Sequence, residues 1–177
     1  MPIMIGTNEH GYFSAFGGIS CVLLSTLNLL KIMGEEDNSR FCRYIDNFYR
    51  LLGEAEDMVA PAKIPSTIEA ITEGDFYGRA VAPRAVDELR ICGIKNPEKY
   101  GLDSLYLPLP GLYTWNHPNS RLGHIIVISG YNNKDKSFLV VDDGVPERIK
   151  NLPEKGLGFV IEKNFCKESN FFSLVTS

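Results

Sequence analysis

The chain has 177 residues, 44% of them hydrophobic, and a formal net charge of −4. That length suits one domain, residues 1–177, with a substantial core. The acidic balance argues against nucleic acid as a partner, since no basic cluster would neutralise phosphates, and the apolar stretch 19–33 is too short to span a bilayer and is broken by Ser25, Thr26, Asn28 and Lys31.

In chain order, the Gly-rich segment Phe16-Gly17-Gly18-Ile19-Ser20 runs into the apolar stretch Val22 to Met33, which predicts a helix opening at Cys21 and stopping at Gly34. The first-turn N–H groups and the positive end of the helix dipole favour an anion at that end, so a cysteine there is suited to act as a nucleophile. A second helix is expected over Ser39–Leu52, with Phe41, Ile45, Phe48 and Leu52 on one stripe and Gly53 as the stop. The capping-box spacing of Ser66 and Glu69 predicts a short helix through Thr72, and Pro83 to Cys92 predicts another, with Gly93 just past its end.

From Leu105 the pattern changes to strand. Residues 105–109, 112–115, 124–131, 138–142, 158–162 and 171–175 read as strands separated by Pro, Gly and Asn. Helices first and an antiparallel sheet second imply an α+β domain with its cleft between the two halves.

Two of these strands supply the rest of a reactive site. Gly123-His124-Ile125-Ile126-Val127-Ile128-Ser129-Gly130-Tyr131 and Phe138-Leu139-Val140-Val141-Asp142-Asp143-Gly144 are joined by a polar turn, and folding them into a hairpin sets His124 across from Asp142 or Asp143, depending on register. A carboxylate can then hold the imidazole in one tautomer while its other nitrogen faces the thiol. Cys21, His124 and an Asp have the residue types and the order for nucleophilic catalysis.

Four cysteines, at 21, 42, 92 and 166, form no C-x-x-C pair, and no His lies at metal-ligand spacing. A metal, a cofactor and a disulfide framework are therefore not expected, and scattered thiols fit a reducing compartment. Cys42, Cys92 and Cys166 read as packing residues. His117 belongs to a surface loop before the His124 strand, and His10 to a polar N-terminal segment without a role.

The Cys that opens a long apolar helix, the Gly-His strand and the following strand ending in Asp together resemble the papain-like cysteine peptidases. Within them the chain is most similar to the bacteriocin-processing peptidases and the related effector peptidases of plant pathogens. The likeness implies a papain-like fold, a peptide or protein substrate, and catalysis by Cys21, His124 and Asp142, the last standing where the family has the Asp of an Asp-Pro ending. Strand alternation puts Asp142 on one face with Val140 and Phe138 and turns Asp143 to the opposite face. The family usually places a Gln about six residues before the Cys to complete the oxyanion hole; Ala15 stands there, the chain has no Gln, and Asn8, Ser14 or Thr7 is left as the second donor. The family often has Gly after the Cys, where this chain has Val22.

The chemistry implied is thioester formation at an amide carbon. Peptide cleavage, deamidation of Gln or Asn and transglutamination share it, and a degenerate peptidase-like binding domain is the alternative of another class. With no secretory signal visible, the expected location is the cytoplasm or, by analogy with effectors, the interior of another cell.

Overall fold

The structure is a computed structural model that describes residues 5–15, 20–52, 59, 61–80, 110–116, 123–132, 134–153 and 156–164. The helix and strand expected over 83–92 and 105–109, the strand expected over 171–175, and His117, Cys92 and Cys166 lie outside them.

The first elements are a short hairpin, β1 (Ile5–Thr7) and β2 (Phe13–Ala15), followed by α1 (Cys21–Ile32), α2 (Asn38–Leu52) and α3 (Ile64–Ile71). Then come β3 (Phe76–Ala80), β4 (Gly111–Asn116), β5 (Gly123–Asn132), β6 (Ser137–Asp142), β7 (Val145–Ile149) and β8 (Leu157–Lys163). These six strands form one antiparallel sheet in the order β3-β8-β4-β5-β6-β7, and helices pack on it, so the domain is of the α+β class. No described helix is long and apolar enough to cross a membrane.

The buried position of α1 follows from its composition. Every residue from Val22 to Leu30 is buried, and Leu23, Leu27, Leu29 and Leu30 are wholly inaccessible. Each such leucine contributes about 1.5–3 kcal/mol of hydrophobic stabilisation. The helix lies on β5 against Ile125 and Val127, and its end is closed by Gly34 at φ 104, whose N–H donates to the Lys31 carbonyl. Two of its buried polar side chains have defined partners: Ser25 Oγ donates to the Ile125 carbonyl at 3.2 Å, while the Asn28 carboxamide accepts from the Phe13 N–H at 2.7 Å and donates to the Phe13 carbonyl at 3.0 Å; the buried Thr26 hydroxyl meets no partner among the described residues. Asn28 thus gives β2 the pair of hydrogen bonds a neighbouring strand would give. Asn28→Ala should leave both Phe13 backbone groups unpaired in the core and cost on the order of 3 kcal/mol, read from urea midpoints; a loss below about 1 kcal/mol would mean those groups find other partners.

In α2 the expected stripe is buried at Phe41 and Phe48 and partly buried at Ile45, with Tyr44 buried beside it, while the Leu52 side chain lies outside the described residues. Cys42 departs from expectation: it is exposed rather than packed. The Ser66–Glu69 capping box does not form either, because the helix begins earlier, at Ile64; Ser66 falls inside the first turn, with its hydroxyl donating to the Lys63 carbonyl at 3.0 Å. Strands β3 and β7, at the two edges of the sheet, were not expected, nor was the hairpin β1–β2. The strands expected over 112–115, 124–131, 138–142 and 158–162 are present as β4, β5, β6 and β8.

Candidate active site

Cys21 is the first residue of α1, partly buried and touching the core. Ser20 precedes it as the N-cap, yet its side chain makes no capping hydrogen bond, so Ser20 leaves the first-turn N–H groups of α1 uncapped.

His124 is the second residue of β5, held at that end by pairing with Trp115 of β4, and the two rings meet edge to face at 5.3 Å. Its Nε2 lies 2.6 Å from Asp142 Oδ1, a short charge-assisted hydrogen bond. The imidazole is favoured in its charged form up to about 10. The Asp142 hydrogen bond contributes most and a hydrogen bond with the Cys21 side chain next; burial opposes both, and the charges of Asp142 and Asp143 add to them. With Nε2 engaged by Asp142, Nδ1 is the nitrogen left to exchange a proton with sulfur.

The route by which the acid reaches His124 differs from expectation. His124 is not directly opposite either aspartate: β5 and β6 pair as far as Val127↔Val141, and Asp142 pairs onward with Val145 of β7. Counting back from that last pair, Asp142 would face Ile126, so it reaches His124 on the diagonal, within range for side chains on one face. A register shift between Ile128 and Gly130 sets this offset.

Asp143 does not turn away. Strand alternation ends at Asp142, because Asp143 and Gly144 both adopt positive φ, 47° and 86°, as the β6–β7 hairpin turn requires. One donor atom each of His124, Asp142 and Asp143 lies within 4.8 Å of the others. Burial raises the Asp143 carboxyl above the usual carboxylate range, the His124 charge pulls it back and Asp142 pushes it up again. These three side chains are the described residues able to approach one metal ion, but the 2.6 Å His124–Asp142 separation is that of a hydrogen bond. Two ligands about 2.1 Å from a tetrahedral ion would stand roughly 3.4 Å apart.

Of the three candidates for a second oxyanion donor, Asn8 is committed elsewhere. Its Nδ2 donates to the Gly144 carbonyl at 2.8 Å, and its Oδ1 accepts from the His10 and Tyr12 N–H groups. Ser14 is partly buried in β2 and Thr7 is exposed. His10 is exposed, and its ring lies 3.4 Å from Glu9. A cavity of about 340 Å³ between Tyr12 and the β6–β7 strands lies apart from the Cys21 end of α1 and has none of Cys21, His124 or Asp142 in its wall.

The turn at Asp143-Gly144 is legible in the sequence, because Asp-Gly is itself a turn signal, whereas the exposed β7 run that makes it a hairpin and the distant support from Asn8 carry none. Neither a comparison with protein-family models nor one with curated proteins finds a match.

Proposed function

We propose that this chain is a cysteine-nucleophile hydrolase of papain-like type that cleaves amide bonds of a peptide or protein through a thioester on Cys21. The observation that carries the reading is the His124 imidazole, engaged by the Asp142 carboxylate at 2.6 Å and favoured in its charged form first by Asp142 and next by the side chain of Cys21, which opens α1.

The steps follow from those positions. Sulfur attacks the amide carbon, the C=O π pair moves to oxygen, and the resulting oxyanion is met by N–H groups of the first turn of α1. The tetrahedral species collapses, the C–N bond breaks, and the imidazolium gives its proton to the departing amine. Water then attacks the thioester while neutral His124 accepts its proton; the C–S bond breaks, and the carboxylic acid leaves with the thiolate restored.

Alkylation kinetics test this directly. Exposure alone would make Cys42 react first, since Cys21 is partly buried. Activation by His124 reverses the order, so sub-stoichiometric iodoacetamide at pH 7 should label Cys21 at least about tenfold faster than Cys42, read by peptide mass spectrometry. Cys42 reacting first, or equal labelling, would sink the nucleophile assignment. The absence of any Gln supports one second reading, a peptidase-like domain that binds peptides without turnover. A Cys21 that alkylates rapidly yet forms no thioester with any peptide in a substrate library would select it.

A further inference from the structure

The β5–β6 ladder does not by itself hold Asp142 against His124. The last pair between those strands is Val127↔Val141, and Asp142 is paired only to β7, beyond which the chain turns through Asp143 and Gly144. The turn instead rests on the N-terminal hairpin. Asn8 Nδ2 donates to the Gly144 carbonyl at 2.8 Å, across 136 positions of chain. Gly144 itself is buried and so close to β2 that a Cβ there would stand 2.5 Å from the Phe13 carbonyl oxygen. Phe13 in turn is held at both backbone groups by Asn28, two turns along the helix that Cys21 opens.

The contacts therefore run from the helix that carries the thiol, through Asn28, Phe13, Asn8 and Gly144, to the turn that carries the acid. We infer that Asn8 is a positioning residue: by tethering the Gly144 carbonyl to the N-terminal hairpin, it holds the Asp142–Asp143 turn against His124 and in register with Cys21. This rests on the reading of Cys21 and His124 given above. Asn8 touches no reacting atom and acts through Asp142. The tether leaves Asp142 Oδ1 on the imidazole; without it, the turn keeps its pairing with β7, an exposed edge strand, and its packing on β2, but no hydrogen bond from Asn8 to Gly144.

The competing account is that Asn8 only shapes its own turn, where its Oδ1 accepts from His10 and Tyr12. Asn8→Ser separates the two. A serine hydroxyl keeps an acceptor for the turn but brings no carboxamide N–H to Gly144; Asn8→Ala removes both. In the full-length protein, His124 is titrated by NMR through its Cε1 proton, and Cys21 alkylation by iodoacetamide is timed at pH 7. Both variants should retain a cooperative melt, titrate His124 roughly one pH unit lower than the parent and alkylate Cys21 about tenfold more slowly. Asn8→Ser matching the parent in both readouts would overturn the tether and leave the Cys21–His124 pair intact. A parent protein whose His124 titrates at its ordinary value would instead remove the reading beneath the proposal, and the proposal with it.

Discussion

His124→Ala should abolish amide hydrolysis and bring Cys21 alkylation down to the rate of an ordinary thiol, while the protein still melts cooperatively. The ring is not part of the core, which is built beside it by Ile125, Val127 and Leu112, so its expected contribution is to proton transfer rather than to packing. Loss of a positioned acid–base group costs about 10²–10⁴-fold in rate. The pH dependence has a definite sign. Because the folded protein favours the protonated ring up to about 10 against an ordinary 6.5, the charged pair contributes stability that is fully present below the ordinary value and is lost as pH rises from there through about 10. The stability difference between the parent and His124→Ala should therefore shrink across that window, measured by urea unfolding. A difference that grows with pH, or a variant with parental activity, would remove His124 from its role.

Asp142→Asn should be nearly as damaging, and Asp143→Asn mild. The asparagine at 142 can still accept a hydrogen bond at 2.6 Å geometry, but it presents an amide as easily as a carbonyl and so admits the wrong imidazole tautomer. In the serine peptidase case the equivalent change costs about 10⁴-fold in kcat. Asp143 acts on His124 only through its charge, the smallest of the influences on that ring, so its loss should cost less than about tenfold. Steady-state kinetics with a peptide substrate, together with the ring tautomer from ¹⁵N NMR, would rank the two. The reverse ranking would move the orienting role to Asp143 and leave the Cys21–His124 pair in place.

Both experiments probe a site that was legible in outline from residue order. The α1 helix could be read because a mostly apolar run between Ser20 and Gly34, with only Ser25, Thr26, Asn28 and Lys31 interrupting it, has one compact solution, and β4, β5, β6 and β8 because their β-branched runs are bounded by Gly, Pro and Asn. That His124 and a nearby aspartate would meet followed from two adjacent strands joined by a polar turn. The edge strands were not legible: Val145-Pro-Glu-Arg-Ile149 is almost wholly exposed and has no period-2 burial to betray it, and Phe76–Ala80 is a strand because β8, eighty residues later, pairs with it. Helix α3 misled through a local motif, since Ser66-x-x-Glu69 has capping spacing wherever it occurs, while Pro65 favours the first turn of a helix and lets it start one step before.

The choice between Asp142 and Asp143, and the partner of Asn8, belong to long-range geometry. Residue types and their order depend on the chain alone, so an imidazole and a nearby carboxylate are present in any fold that makes the hairpin, whichever role they take. Which carboxylate reaches the imidazole depends on a register shift between Ile128 and Gly130 and on two consecutive positive-φ residues, and an error of one position in either exchanges the faces of the strand. The support for that turn comes from Asn8, whose hydrogen bond to Gly144 has no local signature because its partner is a backbone carbonyl, the one group that every residue carries.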